Sequence, residues 1–195
     1  AYAQTMPLAA AAGGNLTGYV TRYPVTTASP EAQDLFDKGL SLVVSFNHEA
    51  GVAKFREAQA ADPGCAMCYW GEAYALGSNI NLYPSGEAFR AGLEGASGRE
   101  RALIEAIAAR FPISEDGTVT EDTAAFADAM QAAAAAHPDD NFILSLAAEA
   151  NMNTQPWDYW EADRHTPKGR TADTIALLET ILARDPANVH AIHLY

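Results

Sequence analysis

Three proline-containing junctions set the strongest limit on how this chain folds. They are Asp62-Pro63, His137-Pro138 and Asp185-Pro186. In each, a segment rich in Ala or Leu precedes the proline, and an apolar segment begins a few polar residues later. Proline has no amide proton to continue a helix and disfavours helical geometry in the residue before it, so a helix ends at each junction. The chain is therefore predicted to repeat one unit, a pair of helices joined by a tight bend.

The clearest unit covers residues 46–81. Its first helix is predicted to end at Asp62-Pro63, and its second to run from near Cys65 to Gly77, a residue suited to the left-handed conformation past a helix end. Apolar or small residues recur at helical spacing in both halves: Val52, Phe55, Ala58 and Gln59 in the first, and Tyr69, Ala73 and Leu76 in the second. Because each stripe covers one face only, the two helices need neighbours of the same kind.

Composition favours helices and excludes some partners. Hydrophobic residues make up 49% of the 195 residues, and the Ala-rich segments contain no β-branched run, so the predicted fold class is all-α. The formal net charge of -13 repels phosphate backbones, so nucleic acid is not expected as a partner. No apolar run approaches the roughly 20 residues that cross a bilayer, so no transmembrane segment is expected.

The hairpin pattern resembles the tetratricopeptide-repeat family over residues 30–78. If a repeat starts at Ala32, the small, aromatic and closing-proline positions of the family fall on Gly39, Gly51, Phe55, Ala58 and Pro63, and the next unit places Tyr69 and Ala73. The pattern departs from the family at Lys38, where Leu is usual, and in the unequal spacing of the three prolines. The resemblance implies antiparallel helix hairpins stacked as a right-handed α-solenoid. The segments SPEAQDLFDKGL, SFNHEAGVAKF and CAMCYWGEAYALGSNIN are also similar to large secreted or periplasmic bacterial repeat proteins.

The chain divides into two predicted parts. Residues 1–29 are small and polar and are expected to form a flexible or extended N-terminal arm. Residues 30–195 are expected to form the helical-repeat domain, which Ser29-Pro30-Glu31 opens with a helix-start signal. The last predicted helix, from about Asn188, has no second helix to pack against, so we expect the repeat domain to be incomplete at its C-terminus. The opening Ala-Tyr-Ala-Gln resembles the end of a signal peptide and favours a periplasmic or secreted bacterial protein.

The two cysteines, Cys65 and Cys68, form a C-x-x-C pair at a predicted helix start. The helix dipole lowers a thiol pKa at this position, as redox motifs require, and an oxidising compartment allows a disulfide. The third interpretation is a pair of small buried residues. Because Tyr69 rather than His follows Cys68, the motif is not that of ordinary c-type haem attachment.

Two histidines and one aromatic segment are the other candidates for chemistry. His190 and His193 stand three residues apart on the last helix, a spacing that lets their imidazoles share a transition metal if further ligands come from elsewhere. The alternative is that they are solvated or satisfied within the core. Residues 157–165 gather carboxylates beside two tryptophans, an arrangement that binds sugars or cations or simply anchors a packed loop.

Three hypotheses of function follow from these features. The first is a non-enzymatic, exported repeat scaffold that binds a protein or peptide partner in a groove presenting Asn47, Tyr74, Asn79 and Asn81, since no complete catalytic motif is present. The second is a metal-binding protein or metalloenzyme that uses His190 and His193. The third is a subunit that stacks head to tail on other copies of itself to form filaments.

Overall fold

The computed structural model describes residues 21–77, 96, 98–114 and 116–195. These residues form eight α-helices and no strand; two isolated bridges, Ile113 with Val119 and Trp160 with Pro167, are the only β pairing among them. The helices are α1 (Pro30–Val44), α2 (His48–Ala61), α3 (Ala66–Leu76), α4 (Gly98–Arg110), α5 (Thr123–Ala136), α6 (Asn141–Asn153), α7 (Thr171–Arg184) and α8 (Val189–Leu194). The all-α prediction is confirmed for the described residues.

Each helix packs against the one that follows it in the chain. In addition, α1 contacts α3 and α6 contacts α8, so alternate helices also meet. Pro63, Pro138 and Pro186 lie in the bends between α2 and α3, α5 and α6, and α7 and α8. A short bend between two helices in contact reverses the chain direction, as in a helical hairpin.

Side chains fix several helix starts. Ser29 caps α1 by accepting a hydrogen bond from the Ala32 amide at 3.1 Å, with Pro30 in the first turn. Asp140 caps α6 through bonds to the amides of Phe142 and Ile143 at 3.0 and 3.2 Å. Such caps satisfy amide groups that have no partner within the first turn of a helix. The sequence therefore determines where these helices begin as well as where they end.

A single aromatic ring explains the close packing of the first three helices. Phe55 of α2 is fully buried, and its ring lies against Gly39 of α1 and Gly71 of α3. A Cβ atom at Gly39 or Gly71 would lie 2.8 or 2.4 Å from the Phe55 ring, closer than van der Waals contact allows. Glycine is therefore required at both positions so that α1 and α3 can approach the same side chain.

Gly77 differs from its predicted role. Its φ of -76° and ψ of 167° are extended, so the prediction of a left-handed residue after α3 is wrong. The requirement for glycine comes from packing instead, because a Cβ atom there would overlap the guanidinium group of Arg110, which is itself buried. A tertiary contact from α4 therefore requires glycine at position 77. The residues that mark the end of α3 in the sequence do not reveal that contact.

The N-terminal arm and the C-terminal region differ in how they contact the helices. Of the predicted arm, residues 1–20 lie outside the described residues, and the remainder runs along α1 and reaches α4 and α6. Between α6 and α7, residues 157–168 fold back on themselves through the bridge between Trp160 and Pro167. No helix in the described ranges is long and apolar enough to cross a bilayer.

Candidate functional site

Four polar side chains from three helices converge in the interior. Glu149 of α6 accepts a hydrogen bond from the hydroxyl of Tyr74 on α3, and its Oε2 lies 3.3 Å from Nε2 of His190 on α8. The other imidazole nitrogen of His190, Nδ1, lies 3.0 Å from Oγ of Ser145, one turn before Glu149 on α6. We refer to Tyr74, Ser145, Glu149 and His190 as the Glu149 cluster. It joins helices that are far apart in the chain.

Local structure places each member of the cluster. Ser145 and Glu149 are four residues apart on α6, so they share one face of that helix. Tyr74 is held by Trp70, whose ring stacks on it at a centroid distance of 5.1 Å. His190 stands in the first turn of α8, which Asn188 caps through a 3.0 Å bond to the Ala191 amide. The cluster is therefore built on regular helices rather than on loops.

The surroundings of Glu149 keep its carboxylate ionised. Burial acts to raise the pKa of Glu149, but the hydrogen bond and charge of His190, the hydrogen bond from Tyr74 and the charge of Arg110 together lower it below its ordinary value. Burial and the adjacent Glu149 raise the pKa of Tyr74 well above its usual range, so the phenol stays neutral and donates. Arg110 is anchored in turn by Glu121, at 2.8 Å.

A second histidine lies near the same charges. His48 begins α2, and burial lowers its pKa, although the charge of Glu149 and a hydrogen bond to the Ala75 carbonyl oppose this shift. Nε2 of His190 faces the ionised carboxylate of Glu149, and its Nδ1 lies within hydrogen-bond distance of the Ser145 hydroxyl, which donates to the carbonyl oxygen of Phe142. The cluster thus links α3, α6 and α8 through a continuous set of hydrogen bonds.

A cavity of about 690 Å³ opens onto this cluster. Its walls come from the arm, the start of α4, the bend between α5 and α6, one face of α6 and the start of α8. Its lining includes Tyr23, Arg99, Asp140, Asn141, Ser145 and His190. Ser145 and His190 therefore form the part of the Glu149 cluster that a ligand in the cavity reaches first.

The order Ser145, His190, Glu149 is that of a nucleophile, a base and an orienting acid. Two observations argue against a nucleophilic role for Ser145. Ser145 is only 2% exposed, and its hydroxyl also lies 2.8 Å from the carbonyl oxygen of Phe142 in its own helix. A hydroxyl held in this way is a fixed polar contact, and we assign no catalytic step to it.

The structure separates the residues that the sequence proposed for partner binding. Asn47 is exposed at the N-cap of α2 and makes no side-chain capping bond within the described residues. Tyr74 is buried in the Glu149 cluster, and Asn79 and Asn81 lie outside the described residues. The structure therefore brings Tyr74, but not Asn47, into the site described above.

The two proposed metal ligands have different surroundings. His190 is buried in the Glu149 cluster, whereas His193 is exposed and its ring lies 4.5 Å from that of Phe46, between α1 and α2. Across the described part of the chain, no three His, Cys, Asp or Glu side chains group closely enough to hold a metal ion.

Cys65 and Cys68 are joined by a disulfide with an S–S distance of 2.05 Å. Both residues are fully buried, and Sγ of Cys65 accepts a hydrogen bond from the Cys68 amide at 3.2 Å. The disulfide therefore closes the first turn of α3, the helix that supplies Tyr74.

Sequence reasoning missed Ser145, Glu149 and Arg110. One signal was available: Asn141, Ser145 and Glu149 recur every four residues in α6, which is otherwise mostly apolar. A polar stripe inside an apolar helix indicates a buried network or a lined cavity. The partner residues Tyr74 and His190 were named from the sequence, but for partner binding and metal binding rather than for this network.

Comparison with known proteins adds no family assignment. No family model, curated protein or solved structure matches this chain.

Proposed function

We propose that this protein is an exported helical-repeat scaffold that binds an extended segment of a protein partner. In this proposal the helices stack as a tetratricopeptide-like right-handed solenoid, and its concave face includes α1, α3, α6 and α8. The contacts of α1 with α3 and of α6 with α8 support this arrangement, because alternate helices line the inner face of such a stack.

The observation that carries the proposal is the 690 Å³ cavity, whose wall includes Ser145 and His190 of the Glu149 cluster. Its polar groups include hydroxyl, imidazole, amide and carboxylate side chains, which hydrogen-bond to the main chain and side chains of a peptide. The network between α3, α6 and α8 holds them in place before a ligand arrives. Such preorganisation lowers the entropic cost of binding.

Charge indicates which partner fits. The cavity is lined by three aspartates, Asp139, Asp140 and Asp185, and by two arginines, Arg22 and Arg99, and the chain as a whole has a net charge of -13. Complementary charge steers association and suppresses wrong partners. The expected ligand is therefore a neutral or basic segment in an extended conformation.

Selection of a displayed peptide library on the wild-type protein tests the proposal. We expect selected peptides to carry Lys or Arg, and their affinity to fall about tenfold in the Asp139→Lys variant, since a cavity charge is reversed. Glu105→Lys is the matched control, because it makes the same charge change on an exposed site of α4 outside the cavity. Failure to select any peptide, or an equal loss in both variants, would contradict the proposal.

Self-association is a second candidate, favoured by the C-terminal region. Within the described residues, the exposed large hydrophobic side chains are Trp157, Trp160, Ile192 and Tyr195, all between residues 157 and 195. Trp160 and Tyr195 also line an apolar cavity of about 310 Å³. Exposed apolar patches of this kind mark interaction sites. Light scattering over a dilution series should show a mass that rises with concentration, and the Trp157→Ser/Tyr195→Ser variant should remove that rise.

A further inference from the structure

The arm residues 22–27 lie on the helices as a bound peptide would. Their amides donate to side chains rather than to a strand: Tyr23 to Asp37 at 3.0 Å, Val25 to Gln33 at 2.9 Å and Thr26 to Glu100 at 2.6 Å. The carbonyl groups are also held, with Gln33 donating to that of Tyr23 and Arg99 to that of Pro24. These contacts are made with the main chain, so most of them do not depend on the arm's own sequence.

Tyr23 is the anchor of this segment. It is 4% exposed, its ring centroid lies 4.4 Å from that of Phe142, and the guanidinium of Arg99 stands 4.8 Å from the ring centre. Its hydroxyl donates to Oδ2 of Asp140 at 3.0 Å. Asp140 is already fixed as the cap of α6, so the pocket's shape and its acceptor are set by the helix and not by the arm.

The surface under the arm carries buried carboxylates that require hydrogen-bond donors from an extended segment. The carboxylates of Asp37 and Glu100 are buried, and without the arm amides they would lose hydrogen bonds that offset the cost of burial. The second oxygen of Glu100, Oε2, has no hydrogen-bond partner among the described residues. It can accept a donor that the arm does not supply.

The binding surface also extends beyond the arm. The 690 Å³ cavity begins at residues 21–23 and continues past Asp140 to Ser145 and His190. A longer segment that placed an aromatic residue in the Tyr23 pocket would therefore also reach the Glu149 cluster. The arm fills one end of the groove, and Ser145 and His190 line the other.

We infer that the Tyr23 pocket is a subsite for an aromatic residue of an extended partner segment, and that residues 22–27 occupy it as an internal stand-in ligand. The inference rests on the proposed function and adds to it the chemistry of the partner: a tyrosine whose hydroxyl reaches Asp140, in a segment whose amides reach Asp37 and Glu100. Binding of the partner then displaces the arm.

The test uses a fluorescent synthetic peptide with the sequence of residues 20–28 and a second peptide with Ala in place of its Tyr. We expect Tyr23→Ala to bind the Tyr peptide at least about tenfold more tightly than the wild-type protein does, because the resident side chain no longer competes. Tyr69→Ala, which removes a half-buried tyrosine of α3 outside the cavity, should bind as the wild type does. The Ala peptide should bind Tyr23→Ala at least about tenfold more weakly than the Tyr peptide.

Equal affinity of Tyr23→Ala for the two peptides, or no gain over the wild type, would overturn the inference. If circular dichroism shows that Tyr23→Ala is unfolded, Tyr23→Phe replaces it: this variant keeps the ring, loses the bond to Asp140, and should show a smaller gain, whereas no gain overturns the inference. Library-selected peptides separate the two proposals. If the selected peptides bind without any preference for an aromatic residue, the aromatic subsite alone is contradicted. If no peptide binds, both the subsite and the proposed function are contradicted.

Discussion

The first three helices and the last three solve the same packing problem in different ways. In α1–α3, the Phe55 ring is enclosed by two glycines and the helix start is cross-linked by a disulfide. In α6–α8 and the segment that joins α6 to α7, aromatic side chains such as Trp157 are exposed, at 72%, beside an apolar cavity of about 310 Å³. Small residues at the contacts allow close packing, and the C-terminal region has no equivalent of the paired glycines among its described residues.

Polar groups show the same contrast. Asn151 of α6 is 1% exposed, yet neither atom of its amide has a hydrogen-bond partner among the described residues. The Tyr159 hydroxyl is also buried without a partner in this part of the chain. A buried polar group without a hydrogen-bond partner lowers the stability of the fold. Such a group is usually kept for another reason, such as a contact with a ligand or a second molecule. Among the described residues, the N-terminal end is therefore the more completely satisfied of the two, in packing and in hydrogen bonding.

Removing one aromatic ring from each region should give the largest difference. Phe55→Ala should lower the free energy of unfolding by about 3–5 kcal/mol. The substitution leaves a cavity between α1 and α3 that these helices cannot fill by moving together. Trp157→Ala should change it by less than about 0.5 kcal/mol, since the side chain is mostly in solvent. Urea denaturation measures both. Similar losses in the two variants would remove the distinction between the regions.

Glu149 is the point where the two regions meet. Glu149→Gln should lower the free energy of unfolding at pH 7 by about 2–3 kcal/mol, because two hydrogen bonds to a charged acceptor become neutral. The pKa of Glu149 is lower in the folded than in the unfolded chain, so its contribution is present above its ordinary value of 4.5 and is lost as pH falls through the folded value. Denaturation from pH 7 to pH 3 should therefore show a smaller loss on acidification in the variant than in the wild type. A parallel pH dependence would contradict this.

The disulfide contributes a smaller amount to the stability of the N-terminal region. Replacing Cys65 and Cys68 by Ala should lower the free energy of unfolding by about 2 kcal/mol, since the bridge closes only a short loop and restricts the unfolded chain modestly. The expected signature is a lower thermal midpoint with unchanged helical content by circular dichroism. Reducing the wild-type protein under denaturing conditions and refolding it provides the control without substitution.

Asn151 should give the smallest effect, with the opposite sign. Asn151→Leu should raise the free energy of unfolding by about 1 kcal/mol, because it replaces an amide without partners by an apolar side chain of similar volume. Asn188→Leu is the control. It removes a functioning helix cap and should lower the free energy of unfolding by about 1 kcal/mol. A destabilised Asn151→Leu protein would mean that the amide does make a bond in solution.

Much of the helical layout followed from the sequence, and the site did not. Prolines and caps are local signals, which is why the bends at Pro63, Pro138 and Pro186 lie between helices as predicted, and why α1 begins at Pro30. The Glu149 cluster depends on how α3, α6 and α8 face one another, and nothing within one helix records that. Gly77 illustrates the limit: its residue type was noticed, but the reason, the Arg110 guanidinium, lies on another helix.

The ring contact between Phe46 and His193 has a consequence for folding. In a strictly linear array each repeat touches only its neighbours, so the array can fray from one end while the rest stays folded. Here a residue before α2 rests on the last helix, and Tyr23 rests on α6. Because both ends of the described chain share contacts, loosening either end weakens the other, and the molecule should melt in a single cooperative step.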